Sequence, residues 1–140
     1  MRTRDQIRIG AGSAICVLAL CAPLQAQAPA KPAPKRTVLQ QADVAATPAQ
    51  ETMMATVDIA PGTGNPFHTH FGTEIGYVVQ GHIRVERKGE PPQDLGPGQS
   101  FLIPRGVVHH SVPLGNEPVK LINNWVVDKG KPLLTPAPEQ

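Results

Sequence analysis

The chain has 140 residues, which suits one domain, and its 13 basic and 11 acidic residues give a formal net charge of +2. Proteins that bind nucleic acid normally carry a larger basic excess that neutralises phosphates, so we expect no nucleic-acid partner. Both cysteines, Cys16 and Cys21, lie near the amino terminus, so no disulfide or thiolate metal site is expected in the folded domain.

The first 28 residues are typical of a secretory signal peptide. Arginines precede an apolar run over residues 9–20, and the segment ends in Ala26-Gln27-Ala28. A permanent membrane anchor is the weaker interpretation, because a bilayer span needs about 20 apolar residues. Lipidation at Cys21 is also weaker, because the bulky Leu20 stands where that signal requires a small residue. We therefore expect a periplasmic or secreted protein whose mature form has no membrane partner.

Two segments that flank the central part of the chain have the composition of connectors. Residues 29–50 are rich in proline and alanine and are interpreted as a linker or N-terminal arm. Within them, the apolar patch 37–39 could add a strand to a neighbouring sheet, although a tether without fixed structure fits equally well. Residues 131–140 contain three prolines and are interpreted as a C-terminal tail. The folded domain is therefore predicted over residues 51–130.

Short β-branched runs in this domain alternate with turn residues at intervals of about 8 to 12 residues, which is typical of an all-β sandwich or barrel. The predicted strands span residues 52–60, 74–80, 82–87, 100–103, 107–112 and 119–127. Glycine and proline between the runs favour chain reversal. Around Tyr77, both alternating sets of side chains are apolar, which indicates a strand that is covered on both faces.

A group of histidines and a glutamate indicates a metal site. His68 and His70 would project from one face of an extended strand with roughly 6 to 7 Å between their α-carbons, close enough to bind one ion. That spacing is also common among surface histidines. Glu74 adds a carboxylate of the same parity, with Gly72 allowing a bend, and a buried carboxylate needs a cation to offset its desolvation. His109, on a strand distant in sequence, is the fourth candidate.

These residues lie in a framework that resembles the two motifs of the cupin superfamily. The first motif corresponds to Gly62, His68, His70, Glu74 and Gly81, and the second to Gly98, Pro104, Gly106 and His109. Pro113 replaces the final asparagine of the second motif, a position that is not a ligand in the family. The resemblance covers residues 62–113 and implies one double-stranded β-helix, or jelly-roll, barrel with its ligands inside near one mouth.

Three imidazoles and one carboxylate suit a divalent transition metal, namely Fe, Mn, Ni, Cu, Co or Zn, and the ligand chemistry does not choose among them. An octahedral ion with four protein ligands would keep two adjacent positions open for water, O₂ or a substrate. Zinc in a closed tetrahedral site would instead be structural. The sequence therefore leaves a catalytic and a structural metal site as alternatives.

The resemblance implies a metal-dependent enzyme that acts on a small organic molecule, similar to the quercetinase-type dioxygenases, with isomerases and decarboxylases as further possibilities. The alternative is a non-catalytic secreted module that binds a metal or a small molecule, and fold alone does not decide between them. A barrel of this size leaves a sheet edge and an apolar outer face near Ile75, Tyr77 and Val79, which predicts a homodimer.

Five other side chains have simpler interpretations. Tyr77 and Trp125 are the only tyrosine and tryptophan, and such large aromatic side chains are expected in the core. Arg105 could reach an anionic substrate, but we expect it to face solvent. Asn123 and Asn124 are adjacent in a strand, so one of them must face inward, where it could contact a pocket, although we favour a hydrogen bond to the backbone.

Overall fold

The computed structural model describes residues 32–47 and 49–139, so the predicted signal peptide lies outside the described residues. Within these ranges every regular element is a β-strand. The strands are β1 (Lys35–Asp43), β2 (Gln50–Ile59), β3 (Asn65–Thr69), β4 (Gly72–Gln80), β5 (Ile83–Arg87), β6 (Gln93–Leu95), β7 (Ser100–Ile103), β8 (His109–Pro113), β9 (Val119–Asp128) and β10 (Thr135–Pro136). No helix that could span a membrane occurs in the described part of the chain.

Two antiparallel five-stranded sheets form the barrel. One has the strand order β1-β2-β9-β4-β7 and the other the order β10-β3-β8-β5-β6. One cluster of buried apolar side chains contains residues of both sheets, for example Trp125 of β9 and Val85 of β5. The two sheets therefore share a single core, and the predicted double-stranded β-helix is confirmed.

Alternation along β9 decides which side chains reach this core. The inward-facing residues of the strand are Val119, Leu121, Asn123, Trp125 and Val127. In the pairing of β9 with the neighbouring β4, Trp125 stands opposite Glu74 and Asn123 opposite Gly76. Because side chains on paired strands share a face where they stand opposite each other, Asn123 and Trp125 lie beside Glu74 on the inner face.

The two terminal segments contribute strands to the barrel. Residues 35–43, which composition assigns to a linker or arm, form the edge strand β1 and pair with β2 of the same chain. In the predicted tail, Thr135 and Pro136 of β10 pair with Thr69 and His68 of β3. All nine residues of β1 are exposed, so the strand has none of the alternation by which a half-buried strand is recognised in a sequence.

The expectation of a core position is confirmed for Trp125, which is 1% exposed, and wrong for Tyr77, which is 47% exposed. Strand β4 buries one alternating set of side chains, while Ile75, Tyr77 and Val79 point outward. The strand is therefore covered on one face within a single chain, because the second sheet packs against only one face of the first.

Gly72 follows directly after a bend of the chain at Phe71, and the absence of its side chain has a further consequence. It is the first residue of β4, and it stands opposite Val127 of β9. A Cβ atom at this position would overlap the backbone carbonyl oxygen of Val126. The absence of a side chain therefore allows β9 to approach β4 closely next to the pairing of Glu74 with Trp125.

Candidate metal centre

The fold brings the four predicted ligands together inside the barrel. His68 of β3 pairs with His109 of β8 in the second sheet, His70 follows β3, and Glu74 reaches across from β4 of the first sheet. Their candidate ligand atoms all lie within 4.8 Å of one another. Each of the four residues is at most 5% exposed. The cluster is therefore a buried group of three imidazoles and one carboxylate.

Backbone carbonyl groups determine the tautomer of all three imidazoles. The Nδ1 atoms of His68, His70 and His109 lie 2.7, 2.5 and 2.9 Å from the carbonyl oxygens of Pro66, Leu133 and Val107, respectively. A carbonyl oxygen can only accept a hydrogen bond, so each Nδ1 carries a proton. In a neutral imidazole the lone pair is then on Nε2, which is the atom that turns toward the centre of the cluster.

The contacts of Glu74 with two imidazole rings require a proton or a cation between them. Oε2 of Glu74 lies 2.8 Å from Nε2 of His70 and 3.2 Å from Nε2 of His109. If both rings are neutral, lone pairs on nitrogen face lone pairs on oxygen, which is repulsive. Either an added proton on a ring or a metal ion between the atoms removes the repulsion. Imidazole nitrogen and carboxylate oxygen are ligands of transition metals, so the donor set fits such an ion.

The pKa values of His68 and Glu74 also show that the carboxylate needs positive charge beside it. Burial lowers the pKa of His68 to about 4, and the neighbouring His109 and His70 act in the same direction, so His68 is neutral at pH 7. Burial raises the pKa of Glu74, but hydrogen bonds with His109 and His70 outweigh it and lower the pKa to about 2. Because Nδ1 of each ring already carries a proton, a hydrogen bond from Nε2 to Glu74 requires a second proton and therefore a positively charged ring. An ionised Glu74 in this position therefore requires positive charge beside it.

A fifth polar side chain lies at the centre, and the sequence did not include it among the predicted site residues. The inward-facing Asn123 is 4% exposed, and its Nδ2 donates to Oε1 of Glu74 at 2.5 Å. Of the two alternatives for the inward-facing asparagine, Asn123 makes the pocket contact, and the favoured hydrogen bond to the backbone is made by Asn124, whose Nδ2 donates to the carbonyl of Met53 at 3.3 Å. Asn123 is two residues from Trp125 on the same strand, so the alternation of side chains could have predicted that it faces the core. Its partner Glu74 could not have been predicted in this way, because it lies on another strand.

Arg105 has no role at this centre. As expected it is exposed, and its guanidinium donates to both carboxylate oxygens of Asp128 and to the carbonyl oxygen of Phe71. The nearby positive charge of Arg105 lowers the pKa of Asp128 through a hydrogen bond. The interaction joins the end of β9 to the loop before β4, and solvent screens it.

Comparisons with known proteins agree with this architecture. A family model described as "Cupin domain" matches residues 55–126. "Oxalate oxidase 2" of Hordeum vulgare is 33% identical over an alignment of 100 positions that covers 64% of this chain and 45% of that protein. The match thus spans less than half of this curated relative.

Solved structures show the same fold. The structure of KdgF from Halomonas sp. superposes with a TM-score of 0.53 at 30% identity. The superposition covers 68% of this chain and 80% of the KdgF chain. A conserved protein with a double-stranded β-helix domain from Klebsiella pneumoniae has a TM-score of 0.62 at 19% identity. That comparison covers 79% of this chain and 90% of that chain, and it supports the fold alone.

Replacement of His70 by alanine tests the metal centre. His70→Ala removes one of four ligands and leaves Glu74 less well compensated, so we expect the affinity for metal to fall by roughly 10-fold or more, with a lower melting temperature. The exposed His82 provides a matched control, and His82→Ala should keep the metal content of the parent. Elemental analysis measures the metal, and equal occupancy in His70→Ala and the parent would contradict the assignment.

Proposed function

Since this chain belongs to the cupin family, we propose that it is a metal-dependent enzyme that acts on a small organic molecule. The proposed ligands of its transition metal are His68, His70, Glu74 and His109. The observation that carries the proposal is the buried cluster of these four side chains, in which Nε2 of His70 and Nε2 of His109 approach one carboxylate oxygen of Glu74. Fe, Mn, Ni, Cu, Co and Zn all accept this donor set.

A bound transition metal would supply a Lewis acid and, for redox-active ions, a centre for one-electron chemistry with oxygen. The residues of the chain hold and orient that centre. The carbonyl groups of Pro66, Val107 and Leu133 fix the imidazole rings, and Asn123 restrains one oxygen of Glu74. Burial of the cluster limits the access of water and strengthens each electrostatic interaction within it.

An oxygen-dependent reaction of the dioxygenase type is the first candidate within this proposal. It is supported by the similarity to a protein named "Oxalate oxidase 2" and by the nitrogen and oxygen ligands, which suit iron, manganese, nickel and copper. The alternative is a non-catalytic module in which the ion is structural. Its support is the close, buried packing of the four ligands, which would suit tetrahedral zinc.

Oxygen consumption separates the two functions. The purified protein would be loaded separately with each of the six metals and incubated with a panel of catechols, flavonols and small acids that includes oxalate. We expect substrate-dependent oxygen uptake with at least one redox-active ion, and a loss of roughly 10-fold or more in Glu74→Gln. His82→Ala is the control. Full metal loading without turnover of any substrate would favour the non-catalytic module.

We also propose that two copies associate through the outer face of the first sheet. Ile75 and Leu102 stand opposite each other on β4 and β7, and they are 49% and 47% exposed. Tyr77, Val79 and Met54 on the same sheet are 47%, 42% and 38% exposed. An apolar sheet face of this kind is normally covered, and an isologous contact with a second copy would cover both faces at once.

Light scattering tests the proposed homodimer. The parent should have twice the mass of the chain, and Ile75→Lys should reduce it to a monomer because the contact would bury an unpaired charge. Gln93→Lys places the same charge at an exposed position of the second sheet and should leave the dimer intact. A parent protein that stays monomeric at high micromolar concentration would exclude the dimer.

Export to the periplasm or the medium is the last part of the proposal. Its basis is the basic, apolar and small-residue order of residues 1–28. The native protein should begin after Ala26 or Ala28 and should therefore contain neither cysteine. Mass spectrometry of the protein from its natural host measures this, and a native chain that retains residues 1–28 would contradict export with cleavage.

A further inference from the structure

Two buried polar atoms beside the candidate metal centre have no hydrogen-bonding partner in the part of the chain that the structure describes. They are Oδ1 of Asn123 and Nε1 of Trp125. The residues are 4% and 1% exposed, and both lie on the inner face of β9. Because proteins pair nearly all of their buried polar groups, two unpaired groups on one strand indicate a place where a polar ligand binds.

The neighbouring carboxylate determines what Asn123 offers to such a ligand. Nδ2 of Asn123 donates its hydrogen bond to Oε1 of Glu74, so the amide nitrogen is the atom that faces the carboxylate. The free atom of Asn123 is therefore a hydrogen-bond acceptor. The indole nitrogen of Trp125 can only donate. The two side chains thus present one acceptor and one donor next to Glu74.

Arg36 adds a positive charge to this pair. Its guanidinium carbon lies 5.2 Å from the centroid of the Trp125 ring, within the range of a cation–π interaction. Arg36 stands opposite Val57, whose side chain is in the core, so the arginine projects to the inner side of the first sheet. An arginine remains charged at neutral pH, so this side chain places a positive charge next to the indole ring.

The other arginines of the described chain have acidic partners. Arg84, Arg87 and Arg105 form salt bridges with Asp94, Glu90 and Asp128, respectively. Arg36 forms no salt bridge with a residue in the described ranges, so its guanidinium can pair with an anion. A guanidinium pairs most strongly with a carboxylate or a phosphate, because two parallel hydrogen bonds can form.

We propose that Arg36, Trp125 and Asn123 form a subsite for a small hydroxycarboxylate beside the metal centre. The carboxylate accepts hydrogen bonds from the guanidinium of Arg36 and from Nε1–H of Trp125, and the hydroxyl group donates to Oδ1 of Asn123. The inference rests on the proposed function, since it names the class of small molecule that the centre would act on. It uses residues of β1 and β9 that are not among the proposed metal ligands.

The three groups predict an order of affinity among simple compounds of similar size. Glycolate satisfies all three groups, acetate lacks the hydroxyl group that donates to Asn123, and ethylene glycol lacks the charge that Arg36 recognises. We therefore expect glycolate to bind most tightly and ethylene glycol most weakly, with roughly 10-fold or more between these two.

Trp125 provides a direct readout because it is the only tryptophan of the chain. Each compound would be titrated into the mature protein, with and without bound metal, and followed by tryptophan fluorescence and by calorimetry. Arg36→Ala should weaken glycolate binding by roughly 10-fold or more, because a charge-assisted pair is lost. Arg84→Ala, which removes an arginine paired with Asp94 on the exposed surface, should leave it unchanged.

A second variant separates binding from folding. Trp125→Phe keeps an aromatic ring and removes the N–H donor, so calorimetry should show weaker binding of both glycolate and acetate. Melting temperatures of all variants would be measured. If Arg36→Ala melts far below the parent, Arg36→Gln replaces it, since glutamine keeps much of the length and removes the charge. Unchanged glycolate affinity in the folded arginine variant and in Trp125→Phe would overturn the subsite.

The metal-free titration distinguishes this inference from the proposed function. Glycolate binding that depends on Arg36 in a protein that takes up no metal would support the subsite and overturn the metal-dependent enzyme. A metal-loaded protein that consumes oxygen but binds glycolate equally with and without Arg36 would support the enzyme and overturn the subsite. Binding of none of the three compounds, with or without metal, would also overturn it.

Discussion

The buried negative charge of Glu74 is the constraint on which the candidate centre depends. Its carboxylate lies in the interior between two sheets, where desolvation opposes ionisation, and hydrogen bonds with His109 and His70 lower its pKa against that effect. The imidazoles of His70 and His109 turn Nε2 toward it, while their protons are committed to backbone carbonyls. Positive charge beside the carboxylate completes the balance, and the nitrogen and oxygen donors fit a transition-metal ion as its source.

The barrel architecture provides this set from four strands and a terminal segment. β3 and β8 of the second sheet carry His68 and His109, and β4 and β9 of the first sheet carry Glu74 and Asn123. The ion would therefore connect both sheets, and its binding should be coupled to the stability of the whole domain. The C-terminal segment takes part as well, because the carbonyl group of Leu133 fixes the ring of His70.

Because side chains alternate along each strand, the two faces of the first sheet carry different groups. The inward parity of β4 and β9 carries the carboxylate, the amide and the indole, whereas the outward parity of β4 carries Ile75, Tyr77 and Val79. One face thus serves the metal centre and the proposed subsite, and the other serves the proposed contact between copies. A substitution that shifts the register of β4 by one residue would exchange the two faces and destroy both.

The sequence by itself determined the all-β class, six of the strands to within a few residues, and the four candidate ligands. These features follow from local periodicity, turn residues and ligand spacing, which are readable along the chain. Only the tertiary structure decided that β1 and β10 join the sheets and that Asn123 donates to Glu74. The physical reason is distance along the chain: Asn123 and Glu74 are 49 residues apart, and only the register of β4 with β9 brings them into contact.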